Sequence, residues 1–286
     1  KFTKVLSASV IFIFLLPYSA SVFTGLGHLF EINFNISYDL ALIIMIAITG
    51  FYLVLGGYFA ITLTDFIQGI IMIIGSIIMV MVLVGKGGGI AQVFSSISTN
   101  YAAHVPAAKQ PGIILLISLV FMTSFGTWGL PQMVQKFYAI KNEKVIKKAA
   151  IVTTVFALII VFAAYFSGAM SHIFYDKLPM VNGKPGFDVI IPDLLKNNLG
   201  DGLMAVILLL ILSASMSTLS SLVLVSSSSV AIDMYKGHVN PNISKKNSVA
   251  MMRFLSGIFI IISFFIAKFQ FGFIVTLMSL SWGAVA

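Results

Sequence analysis

Charged residues fall in clusters along this chain, and long apolar windows separate the clusters. Roughly 20 uncharged residues in a helix suffice to cross a bilayer. Eight membrane helices are read on that basis: Val5–Phe30, Leu40–Gly57, Phe59–Gly85, Gly112–Ile140, a fifth within Val145–Tyr175, a sixth within Asp201–Tyr235, Ser248–Ala267, and a truncated one from Phe271 onward. Pro17 marks a kink site in the first. The fourth is interrupted by "GTWGLP", where two glycines and a proline break the helical pattern. Gly87–Ala108 is also uncharged, but "GGGIAQVFSSISTNYAAH" is Gly-rich and polar, and it predicts an extramembrane loop. The segment Asp176–Leu199 predicts a long loop that holds a short helix. No linker or low-complexity tail is visible, so residues 1–286 read as one transmembrane domain, with 176–200 outside the membrane.

The ends change this picture little. The opening "KFTKVLSASVIFIFLLPYSA" has the basic start of a signal peptide, but its apolar run continues to Phe30, which is longer than a signal core. The closing "MSLSWGAVA" stops inside an apolar run, so the chain reads as cut at both ends.

Composition fits a polytopic membrane protein. Of 286 residues, 59% are hydrophobic and 9% are charged, against about a quarter charged in soluble domains. The mean hydropathy is +1.07. The net charge of +8 therefore bears on topology and does not argue for nucleic acid. With the N-terminus inside and alternating spans, 11 Lys and Arg fall inside and 6 outside, the asymmetry of the positive-inside rule. There is no cysteine, which excludes disulfide and thiol chemistry. The four histidines lie near span ends and loops, and no metal cluster is visible.

Three features carry candidate chemistry. Asp65 is the one acid that falls inside a predicted span. An ionised carboxylate there costs about 2.5–3.5 kcal/mol on insertion scales, so it needs a cation, a basic side chain or water. It reads either as an ion ligand or as a solvated residue at the cytoplasmic mouth. The second feature is the sixth span, where Gly202–Ile232 holds nine serines and one threonine and no charge. Ala214, Ser217, Thr218 and Ser221 follow i, i+3, i+4, i+7 and share one helix face, with Ser220 beside it. Such a stripe either lets another helix approach closely or offers oxygens to a hard cation. The third is "FGTWGLPQ", either a simple kink or the kind of broken helix that marks transporter binding sites.

Taken together, "YLVLGGYFAITLTDFIQG", "GLPQMVQKFYAIKN" and "SASMSTLSSLVLVSSSSVAIDMY" resemble, in order, three signatures of the sodium/solute symporter family. The resemblance implies an all-α polytopic fold of the leucine-transporter type, with two inverted five-helix repeats. It assigns the eight spans to core helices three to ten, the last of them truncated. It implies sodium as the coupling ion. Ala214, Ser217 and Thr218 match the eighth-helix half of the family's commonest sodium site, and Ser217, Ser220, Ser221 and Asp65 match a second site present in some members. Trp128 and Gln132 near the broken helix become solute-pocket candidates.

The expected function is sodium-coupled symport of a small organic solute across the cell membrane by alternating access, with no enzymatic step. The expected partners are the solute, sodium ions and the bilayer, and no nucleic acid. The alternative is a membrane sensory module related to the symporters. An intramembrane serine hydrolase would need a histidine or lysine base at membrane depth near a serine, and the predicted spans place none there.

Overall fold

The computed structural model describes residues 2–104, 110–138, 140, 142–181 and 184–285, and the side chains of these other than 54–61, 102, 104 and 184. The structure is helical nearly throughout. Helix α1 is Phe2–Phe34, α2 Tyr38–Lys86, α3 Ile90–His104, α4 Ile113–Ser124, α5 Pro131–Phe137 and α6 Glu143–Phe174. A short hairpin, β1 Met180–Val181 with β2 Lys184–Pro185, leads to α7 Ile190–Asn198. Helix α8 is Asp201–Ser228, α9 Lys245–Phe269 and α10 Ile274–Val285. Polar caps start the helices where the charged clusters end the apolar windows. Ser37, Asn142 and Ser244 each accept a hydrogen bond from a backbone N–H three residues on, at the starts of α2, α6 and α9.

Two predicted spans, Leu40–Gly57 and Phe59–Gly85, appear as one helix of 49 residues. A straight helix of that length would measure about 74 Å, more than twice a bilayer core of about 30 Å. It is not straight. The Tyr52 hydroxyl and the Thr64 hydroxyl form a hydrogen bond, yet twelve residues of straight helix separate by about 18 Å, beyond the reach of the two side chains. Contacts with α8 agree. Thr49 donates to the Met216 sulfur at 3.5 Å, while Gly75 lies against Leu210, close enough that a Cβ there would sit 2.8 Å from the Leu210 Cβ. The axis therefore folds back between residues 52 and 64, and α2 has two arms. No proline interrupts the stretch, so helical hydrogen bonding continues around the bend.

The stretch expected to be a loop after α2 is mostly helix. Gly88 and Gly89 take positive φ, 87° and 100°, which only glycine adopts freely, and they turn the chain. α3 then folds back so that Val93 packs over Gly87. Asn100 Nδ2 donates to the His172 carbonyl at 2.9 Å and Phe94 lies on Phe166, so α3 rests on α6. At 15 residues it spans about 22 Å, too short to cross. The glycines that argued against structure act only at its start.

Two cores organise the molecule. One joins α1, the first arm of α2, the inner half of α8, α9 and α10 around Leu15, Phe23, Leu42, Met45, Leu222 and Phe259. The other joins the outer half of the second arm, α6, α7 and the outer half of α8 around Leu83, Met170, Leu195 and Ile207. Among the described residues, five helices are long and apolar enough to cross a membrane, and six if the bent pair Ile113–Gly129 with Pro131–Phe137 counts as one span. Ion pairs join groups that the alternating topology puts on one side: Lys4 with Asp233 at 3.1 Å, and Lys268 with Asp39 at 3.3 Å.

Candidate ion and solute site

Several hydroxyls of α8 are satisfied from within the helix. Thr218 Oγ1 donates to the Ala214 carbonyl at 2.9 Å, and Ser220 Oγ donates to the Ser217 carbonyl at 2.9 Å. Ser227, Ser228 and Ser229 make the same kind of backward bond to Val223, Val225 and Ser226. A hydroxyl that spends its one proton on its own helix keeps its lone pairs for something else. That is how an apolar span carries so many serines, and it leaves oxygens in the form a cation needs. Ser220 is buried, while Ala214, Ser217, Thr218 and Ser221 are half-buried. Beyond Ser228 the helix widens into π turns over Ser229–Val239, ending with the Asn240 N–H on the Tyr235 carbonyl.

Depth can be read from register. The second arm of α2 and α8 run antiparallel, since the C-terminal end of the arm shares a core with the start of α8. Gly75 lies against Leu210. Ten residues inward from that contact, about 15 Å on either helix, come Asp65 and Ser220. The Tyr52–Thr64 hydrogen bond falls at the same level. Asp233, paired with Lys4 near the inner end of α1, is 13 residues further on, roughly 15–20 Å. Asp65 thus lies well inside the bundle. Its side chain is 19% exposed.

The direct partner of Asp65 is one that sequence reasoning missed. Lys136 Nζ stands 3.6 Å from Asp65 Oδ2. Asp65 Oδ1 is buried and has no hydrogen-bond partner among the described residues, and the same holds for Gln68 Oε1 and Gln132 Oε1. Lys136 and Gln132 are one turn apart on α5, and Asp65 and Gln68 nearly one turn apart on α2. "TDFIQ" and "QMVQK" contain both pairs, but only the fold brings them together.

The broken span is as the glycines and proline predict. α4 passes through a short 3-10 turn, Gly126–Gly129, and α5 leaves at 48°. Pro131 opens α5, where its missing N–H costs nothing. Of the two solute candidates, Gln132 is 7% exposed, and Trp128 is 69% exposed with its ring edge-on to Phe125. α5 packs against α8, which sets the break beside the hydroxyl helix.

At the outer end is a cavity of about 520 Å³, lined among others by Thr24, His28, Asp188 and Gln270. Asp188 Oδ2 accepts from the Ile274 N–H at 3.2 Å, capping α10. Burial pushes its carboxyl above the usual range, and the Ile274 N–H and His28 pull back against that. Burial, then the neighbouring Asp193 carboxylate at 2.5 Å, likewise raises the Tyr175 hydroxyl.

Comparison with known proteins bears on these features. The family described as "Sodium:solute symporter family" matches residues 1–286. The chain belongs to that family. It is 31% identical over 251 residues to the osmoregulated proline transporter OpuE of Bacillus subtilis (strain 168), covering 87% of this chain and 50% of that protein. It is 31% identical over 237 residues to sodium/proline symporter 2 of Staphylococcus saprophyticus, covering 82% of this chain and 45% of that one. The chain thus spans about half the length of the curated relatives it matches. A solved structure of a Na+-coupled sialic acid symporter, in a substrate-bound outward-open state, superposes with a TM-score of 0.75 over 98% of this chain and 62% of that one, at 20% identity. The fold is therefore the symporter fold, and the chain is a multi-pass membrane protein.

Proposed function

We propose that this chain carries the ion-binding half of a transporter that couples sodium entry to the uptake of a small organic solute. The observation that carries the reading is Asp65, a half-buried carboxylate at the depth of Ser220 whose Oδ1 is buried and unpartnered among the described residues. Sodium is bound by the Ala214 carbonyl and the Ser217 and Thr218 hydroxyls at one position. At a second it is bound by Asp65 with Ser217, Ser220 and Ser221. Hydroxyl and carbonyl oxygens suit a hard cation, and neutral ligands release it readily. Trp128 and Gln132 at the broken span meet the solute. The proline transporters among the relatives point to a small amino acid such as proline.

Sodium binding favours the state that takes up solute from outside. A membrane potential negative inside adds about 2.3 kcal/mol per charge per 100 mV. The chain acts as a transporter and not as an enzyme, as one membrane domain with residues 176–200 outside.

Sodium titration of solute uptake, in cells expressing the gene that encodes this chain, tests the reading. Thr218→Ala removes a neutral ligand, worth about 1–3 kcal/mol, which is roughly 5- to 150-fold in sodium affinity. Its half-saturating sodium concentration rises accordingly. Asp65→Asn lowers the Hill coefficient towards one if two ions are coupled. If the serine stripe served only packing, Ser217→Ala and Thr218→Ala would leave sodium dependence as it was. Unchanged sodium dependence in both Thr218→Ala and Asp65→Asn would overturn the ion site.

A further inference from the structure

Where α5 meets the second arm of α2, an ammonium pairs with a carboxylate, and each helix carries a glutamine about one turn from its charged residue. Asp65 Oδ2 faces Lys136 Nζ at 3.6 Å. That is longer than the 2.7–2.9 Å of a charge-assisted hydrogen bond, so the attraction is mainly electrostatic. The lysine side chain is 54% exposed and the aspartate 19%, so the cation is the freer member of the pair and the anion the more enclosed one. The two helices run in opposite directions here. Gln68 lies about 4.5 Å outward of Asp65, and Gln132 about 6 Å outward of Lys136, by helical rise. Both Oε1 atoms are buried without a partner among the described residues, as is Asp65 Oδ1. Three acceptors without donors call for a cation, and each amide can rotate to change what it offers.

We propose that Lys136 is a tethered cation that trades places with sodium at Asp65. This rests on the reading of Asp65 as an ion ligand. With the lysine in place, the half-buried carboxylate is neutralised and sodium is kept out. When sodium takes the carboxylate, the ammonium moves off on its four-carbon stem into the exposed space it already half occupies, and the Gln68 and Gln132 oxygens turn to the ion. The carboxylate is never left without a partner at depth, where that costs most. Because Lys136 belongs to the short helix that follows the break, the exchange ties ion occupancy to the position of α5.

The test compares purified wild type, Lys136→Met, Lys136→Arg, Asp65→Asn and the double variant Asp65→Asn/Lys136→Met, all made in the protein encoded by the gene. The readout is thermal stabilisation by NaCl against choline chloride at constant ionic strength, which needs no transport. Removing a competing cation lowers the half-saturating sodium concentration of Lys136→Met, by roughly 3- to 30-fold for neighbouring groups of this kind. Lys136→Arg stays near wild type, and Lys136→Met has no further effect in the Asp65→Asn background. Should Lys136→Met fold poorly, Lys136→Gln serves the same purpose. An unchanged or raised half-saturating concentration in Lys136→Met, while Asp65→Asn weakens sodium binding, overturns the exchange and leaves the ion site standing. Sodium stabilisation unaffected by Asp65→Asn overturns both.

Discussion

At the scale of single residues, the environment of each carboxylate decides its role. Asp65 is half-buried against a lysine in the bundle, whereas Asp188, also half-buried, lines the outer cavity and caps α10. Burial raises the Asp188 pKa from 3.8. A raised carboxylate pKa means that the folded state disfavours the ionised form. The cost is absent below the unfolded pKa of 3.8, appears as pH rises through the folded pKa, and persists above it. Asp188→Asn keeps an oxygen for the Ile274 N–H and removes the charge. It is expected to raise the melting temperature at pH 7, with the gain shrinking as pH falls through the folded pKa towards 3.8. A pH series of thermal melts in detergent checks this; a gain that grew towards low pH would reverse the sign.

At the scale of elements, α2 and α8 pack closely. Gly75 meets Leu210 there, and a Cβ at 75 would lie 2.8 Å from the Leu210 Cβ. That atom is next to the backbone and cannot swing aside. Gly75→Val is expected to destabilise the protein by about 1–3 kcal/mol through overpacking and to shift the depth register that brings Asp65 level with Ser220. Gly50, on the other arm of the same helix, has nothing within 4 Å of a built Cβ. Gly50→Ala is expected to be neutral or stabilising by up to about 1 kcal/mol. Thermal unfolding of the two variants separates the effects, and equal behaviour would mean that close packing at Gly75 does not set the register.

At the scale of the whole molecule, orientation in the membrane follows from the basic asymmetry and from ion pairs that keep to one side. Because the chain has no cysteine, single cysteines report cleanly. In intact cells a cysteine at Lys177 is expected to react with an impermeant thiol reagent, and one at Asn142 to be protected until the cells are opened. The opposite pattern would invert the topology, and with it the inward direction given to sodium.

The apolar windows, the break at Gly126–Pro131 and the shared face of Ala214, Ser217, Thr218 and Ser221 were legible in the sequence. Each depends on local quantities: helical period, the helix-breaking chemistry of proline and glycine, and the cost of burying charge. The helical α3 was misread, because its glycines look like a loop until Val93 is seen packing over Gly87. The fold-back of α2, the common depth of Asp65 and Ser220, and the pairing of Asp65 with Lys136 were decided by tertiary structure. Lys136 is 71 residues from Asp65 along the chain. Hydrophobic periodicity says which face of a helix is buried, but not how far one helix slides along another. The Gly75–Leu210 contact sets that slide, and it turns a stripe of hydroxyls and a distant carboxylate into neighbours in depth.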